Sequence, residues 1–338
     1  AIGYYALTSN TDGYKNTAIG NRALYTNDGG YHNTATGYYA LKSNKNGIYN
    51  TAIGYQALLT NSSGAENTAT GNLALQDNTT GSYNTASGSS ALNSNTSGSQ
   101  NTASGYRALK SNYGSNNEAF GYNAAFKNTI GTRNIAIGSG AYDGADIESD
   151  NLAIGYDALG GTMTGGTQNV AIGNYSMDAN VGGDGNTAIG YKSLSANVGN
   201  SWNTAIGHQS LLNTKLGGFN TGVGSKSLET NTSGVNNTAV GANSLYTNDS
   251  GDENTGVGRN SLYATTGSYN TSLGWYAGND ITSGENNVII GHNADVLSAD
   301  KDKDNQIVIG ATTTGKGENT AVIGNASITE VYAAEDGE

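Results

Sequence analysis

The chain has 338 residues, a formal net charge of −12, 51 glycines, no proline and no cysteine. The negative balance argues against nucleic acid or an anionic membrane surface as partner, and the lack of cysteine excludes disulfides and thiolate metal sites. Charged residues are 12% of the chain, about half the share of an ordinary globular domain, and missing proline suits a chain paired along most of its length, since proline cannot donate to a hydrogen-bond ladder.

The first 116 residues repeat one phrase. Its closing glycine falls at Gly3, Gly20, Gly37, Gly54, Gly71, Gly88 and Gly105. The period is 17, and the consensus reads N-T-A-I-G-Y-x-A-L-x-x-N-x-x-G-x-x. Seventeen residues are too few for a helical repeat or a propeller blade and suit one solenoid coil of short strands and turns. Asn and Gly recur at the twelfth and fifteenth positions (Asn27 and Gly30, Asn44 and Gly47), and both residue types tolerate the positive φ of tight turns. Over 117–185 the turns are least regular, and an acidic stretch holds Asp143, Asp146, Glu148, Asp150 and Asp157. From 186 to 290 the repeat resumes with Ser in place of Ala before the Leu (Ser193-Leu194, Ser227-Leu228). Residues 1–290 are therefore read as one repeat array, and 291–338 as looser terminal coils leading to a further C-terminal region. The chain begins in mid-phrase, at "AIGYYAL", and is expected to be a piece of a longer fibre.

The second and fourth positions share one strand face. Ile135, Leu152, Val170 and Val288 replace the usual Thr at the second, which points that face inward. On this reading Ile19, Ile53, Ile137, Ile172, Ile189 and Ile206 form the core with Leu24 and Leu58. The small residues Ala18, Gly20, Ala52, Gly54, Ala188 and Gly190 then form a smooth outer face that another copy of the chain covers. The competing reading is that small residues merely suit a cramped interior. A single coil buries too little to be stable, so coils must stack and share a core.

The phrase "NTAIG" at 16–20 and "NVAIG" at 169–173 resembles the head repeat of YadA-like trimeric adhesins. The longer NTAIGYxAL phrase is similar to repeats in tail-fibre-like proteins, where the segment 322–338 resembles the stretch before a self-cleaving chaperone. The resemblance implies a left-handed parallel β-roll with three chains around one axis. The usual coil of the adhesin family is shorter, so longer turns are needed here. The expectation is an all-β fold, a parallel β-solenoid of 17-residue coils assembled as a homotrimeric fibre, with an extracellular location on a virion or a bacterial cell surface.

Chemistry is sparse. His32, His208 and His292 lie in different coils without regularly spaced partners, and no nucleophile elbow, phosphate loop or zinc spacing occurs. The chain is read as a non-enzyme that needs no cofactor, a structural and adhesive segment whose partners are itself and surface glycans or a host receptor. Two alternatives stand beside it. Paired carboxylates in the acidic stretch 143–157 would suit a tailspike-like glycan hydrolase. A threonine ladder would suit an ice-binding solenoid if it faced outward, which the apolar replacements argue against. Asp300, Asp302 and Asp304 have the alternating spacing of a calcium loop, but Ala311 stands where the bidentate Glu belongs. Tyr38, Tyr55, Tyr106 and Tyr156 follow the glycine and are candidate surface-binding residues.

Overall fold

A computed structural model describes residues 1–328. The chain is all-β, a parallel β-solenoid, with nineteen three-residue strands and two of two residues among the described residues. The strands recur at the repeat period (Thr17–Ile19, Thr34–Thr36, Thr51–Ile53, Thr68–Thr70) and pair in parallel with no register slip: Thr17 lies beside Thr34, and Ala18 beside Ala35. Two compact units are present, residues 1–184 and 185–338. Within each, every strand pairs with the strand one coil away. The irregular stretch keeps this register too, with Ile135 beside Leu152 and Leu152 beside Val170. Its variation is confined to the turns. Beyond Gly291 the ladder continues from Val288–Ile290 to Ile307–Ile309 and Ala321–Ile323. Residues 329–338, which complete the segment 322–338, lie outside the described residues.

The inward face is the reverse of the one expected. Ala18, Ala52 and Ala188 are fully buried, whereas Ile19, Ile53, Ile137 and Ile206 are 37–43% exposed and Ile172 and Ile189 are half-buried. Leu24 and Leu58 are buried as expected. The reason is the thinness of the coil. Ala at the third position meets Ala and Leu of the eighth and ninth positions across a narrow interior, and a branched side chain there would overpack it unless the facing residue is smaller, as where the buried Ile289 packs by Gly278. Gly20, Gly54 and Gly190 are not a docking surface either. They sit where successive coils stack, at φ 128, 138 and 135, and a Cβ on Gly20 would lie 2.5 Å from the carbonyl oxygen of Gly37. Only glycine meets both conditions.

The expected positive φ at the twelfth and fifteenth positions is also absent: neither Asn27 nor Gly30 has one. Left-handed backbone occurs instead at the seventh, ninth and seventeenth positions (Arg22 φ 53, Leu24 φ 47, His32 φ 56). Each such residue costs about 1–2 kcal/mol, and the inter-coil hydrogen bonds offset it, as where Leu24 N donates to Ala40 O at 3.0 Å.

Two buried asparagine rows supply the rest of the order. In one, Asn61 donates through Nδ2 to Asn44 Oδ1 (2.8 Å) and to Gly64 O (2.9 Å), and its Oδ1 accepts from Asn78 Nδ2 (2.8 Å). Gly30 and its counterparts are glycine to make room for these amides: a Cβ there would meet Asn44 Nδ2 at 2.5 Å. In the other row, the backbone N–H of each phrase-opening Asn donates to the side-chain oxygen of the Asn one coil earlier, as Asn67 does to Asn50 (3.0 Å) and Asn237 to Asn220 (2.9 Å). Both rows satisfy buried polar groups that no side chain outside the stack could reach.

In two coils of the second unit the Ala-to-Ser change is compensated across the interior. Ser210 Oγ lies 2.9 Å from both Gly222 O and Ser227 Oγ. Position 222 is glycine where other coils have alanine, and a Cβ there would meet Ser210 Oγ at 2.6 Å. Gly256 stands in the same relation to Ser244. In these two coils one atom gained on the eighth position is matched by one lost on the third, whereas the coils with Ser193 and Ser227 keep alanine at 205 and 239.

Candidate functional surfaces

Because the third position points inward, the second and fourth point outward, and their chemistry divides along the chain. From Thr34 to Ser104 the pairs are Thr34/Thr36, Thr51/Ile53, Thr68/Thr70, Thr85/Ser87 and Thr102/Ser104, all half-buried or exposed and all hydroxyl pairs but for Ile53. In the second unit the fourth position is Ile189, Ile206, Val223, Val240, Val257, Leu273 and Ile290. Strand register places these side chains one above another at ~4.8 Å, an unbroken aliphatic stripe beside a threonine row.

Aromatic rows flank the strands. Tyr38, Tyr55, Tyr106 and Tyr156 are all exposed, as candidate contact residues must be. Tyr38 stacks on Tyr55 (centroids 5.4 Å, planes 5° apart), Tyr106 stacks on Tyr122, and Tyr156 meets Tyr175 edge-on. The three histidines join these rows: His32 stacks on Tyr49, His208 on Tyr191 and His292 on Trp275. None is placed as a general base beside a nucleophile.

Three carboxylates of the acidic stretch, those of Asp146, Glu148 and Asp150, are engaged. Tyr142 takes the place of the core Leu, and its hydroxyl donates to Glu148 O (3.0 Å) and accepts from Asn151 Nδ2 (3.0 Å), work that an Asn amide does in other coils. Burial pushes the Tyr142 hydroxyl well above its ordinary pKa. Glu148 is 4% exposed, and its Oε2 accepts from the backbone N–H groups of Asp146 and Ile147. Asp150 is held by Arg133 in a two-bond contact at 2.5 and 2.7 Å, which lowers its carboxyl pKa. Asp146 accepts from Thr129. Asp143 and Asp157 border a depression of about 340 Å³ with Tyr175 and Asp178. Burial, and then the charge of Asp157, raise the carboxyl of Asp143. A neighbouring cleft of about 430 Å³ is lined by Lys127, Asp146 and Met163 among others.

The calcium-loop spacing does not produce a site. Among the described residues no three ligand-type side chains converge. Asp304 Oδ1 accepts from the backbone N–H of Glu285 (2.8 Å), and the Asp300 carboxylate lies against Gly317. The 19-residue coil from Asn287 to Asn305 spreads these three aspartates over its turn instead of wrapping them round a centre.

Sequence reasoning passed over one group of residues. Tyr5, Arg22 and Tyr39 are spaced by 17 and therefore stack in one row. The Arg22 guanidinium lies 5.7 Å from the ring centre of Tyr5, 5.8 Å from Tyr25 and 5.6 Å from Tyr39, and its Nη1 donates to Tyr39 Oη at 2.6 Å. Lys42 Nζ lies 4.8 Å over the same Tyr39 ring. The spacing was the available signal.

Compared with known proteins, the chain matches no family model and no curated sequence.

Proposed function

We propose that the chain is a structural and adhesive segment of an extracellular trimeric fibre, a stiff rod that attaches to a host or surface. The observation that carries this reading is the stripe Ile189–Ile206–Val223–Val240–Val257–Leu273–Ile290. A straight apolar row on a solvent-facing sheet is a surface to be covered, and a second copy offers the same row at the same spacing. The adhesin resemblance sets the number of copies at three. The interface therefore moves from the Ala/Gly face to the Thr/Ile face. Stiffness follows from in-register ladders, buried asparagine rows and the absence of proline.

Sedimentation equilibrium at micromolar concentration tests it. The wild-type chain is expected to be a trimer, and Ile189→Ser combined with Ile206→Ser and Val240→Ser is expected to shift it to monomer with its β-sheet circular dichroism intact. A wild-type monomer would sink the reading.

A second reading gains from the same geometry. The hydroxyl pairs between Thr34 and Ser104 point outward, so the objection to an ordered-water or ice-binding face is removed. Thermal hysteresis above that of a size-matched control would support it. The hydrolase reading loses support, since Glu148 is buried and Asp150 is paired. Glycan release abolished by Asp146→Ala and Glu148→Ala would revive it.

A further inference from the structure

We propose that Tyr5, Arg22, Tyr25, Tyr39 and Lys42 form a binding site for an anionic saccharide, one bearing carboxylate or sulfate groups. This names a ligand for the adhesive part of the reading above and rests on that reading.

Three observations converge. The first is charge. Residues 1–60 hold four cations (Lys15, Arg22, Lys42, Lys45) against two acids (Asp12, Asp28), in a chain whose total is −12. The second is pairing. Arg133 and Lys226, cations elsewhere in the chain, are neutralised by Asp150 and Glu229. Among the described residues Arg22 and Lys42 have no carboxylate within ion-pair distance, a state they share with Arg107 and Lys110, but only Arg22 is ringed by three tyrosines, with Lys42 over one of them. Of the five N–H donors of Arg22, one is engaged, by Tyr39 Oη. The planar fork that remains suits a carboxylate or sulfate, which it binds through two parallel hydrogen bonds. The third is shape. Tyr5 is 44% exposed, and Tyr4 and Tyr38, exposed as well, adjoin Tyr5 and Tyr39 with ring centres 4.0 Å apart. Two coils separate Tyr5 from Tyr39, roughly 10 Å at the ordinary strand spacing. Aromatic platforms at that interval, with a cation between them, match a chain of sugar rings whose C–H faces stack on the rings and whose acidic groups meet the guanidinium. A polynucleotide fits less well, because the rest of the chain is strongly acidic and repels a dense phosphate backbone.

The test is retention on sulfated dextran and on immobilised oligogalacturonate, with unsulfated dextran as the neutral control. The two anionic probes distinguish sulfate from carboxylate. The wild-type chain is expected to bind at least one of them, more weakly as salt rises. Arg22→Gln with Lys42→Gln is expected to weaken binding by about tenfold or more, and Tyr39→Ala by about fivefold, on the strength of charge-assisted and ring contacts. Arg107→Gln with Lys110→Gln, a cation pair near Tyr106 and Phe126, is expected to leave binding unchanged. Equal loss in that control pair, or no binding above unsulfated dextran, would overturn the site. Sedimentation of the same samples separates the two claims: an intact trimer that binds neither probe refutes the saccharide site alone, whereas a monomer refutes the fibre reading.

Discussion

The coils between Thr34 and Ser104 and those between Thr187 and Ile290 share an interior and differ in their exterior. Inside, both have Asn opening the phrase, a small residue at the centre of the strand and a buried Leu opposite, up to the last strand, where the sizes are exchanged between Ile289 and Gly278. Outside, the first region presents hydroxyl pairs interrupted by Ile53 and the second presents an aliphatic stripe. The difference teaches that the repeat specifies a stackable coil and leaves the outward fourth position free to carry surface chemistry. The interior also varies where compensation is available, as Ser210 facing Gly222 demonstrates.

The largest expected effect breaks the shared interior. Gly54→Ala places a Cβ on the Gly71 carbonyl at a φ of 138 and should cost about 3 kcal/mol or more, measured by denaturant unfolding. Next, Asn61→Ala takes the donor from Asn44 Oδ1 and the acceptor from one N–H of Asn78, and Asn248→Ala, its counterpart in the same row of the second unit, takes the donor from Asn231 Oδ1, while the carbonyls of Gly64 and Gly251 keep their bonds from Asn50 and Asn237. Each should lose about 2–3 kcal/mol. A much smaller loss in one region would mean that the interiors are not equivalent.

Gly222→Ala should cost about 1–3 kcal/mol through overpacking against Ser210, and Ser210→Ala in the same chain should restore most of it. No rescue would refute the compensation.

A pH scan separates the regions further. Asp295, half-buried past the end of the aliphatic stripe, has its carboxyl raised to about 7, chiefly by burial, while hydrogen bonds from Val296 and Asp280 act in the opposite direction. The ordinary value is about 4, so the folded state holds the proton more tightly than the unfolded state. This contribution is full below pH 4 and is lost as the pH rises towards 7. The coils around Asp295 should then be less protected in hydrogen exchange at pH 8 than at pH 5, by about 1–2 kcal/mol after solvent screening. Asp295→Asn should abolish the difference, and the coils from Thr34 to Ser104 should not share it. Smallest of all, Thr70→Val on the hydroxyl face should change stability by under about 0.5 kcal/mol.

Much of the fold is legible in the residues: the period of 17, the parallel stack, the breakdown of turn regularity after Asn117, and the buried Leu24 and Leu58. The phase of the strand is not. Alternation says that Thr17 and Ile19 share a face without saying which, and replacement of Thr by Ile135 or Val170 is as natural on a face awaiting a partner as in a core. The turn chemistry misleads for a related reason. Asn and Gly at the twelfth and fifteenth positions look like backbone choices, but they are there for the buried amide row and the space it needs.

By itself, then, the sequence determined a stackable coil and its spacing, because a strict period with small residues and asparagine at set places permits few other packings. Only the tertiary structure decided which side of each three-residue strand is inside, since the width of the coil sets how large an inward side chain can be. It also decided what the outward rows bring together, among them Arg22 with three tyrosines from three successive coils, because side chains 17 apart become neighbours only when the coils stack.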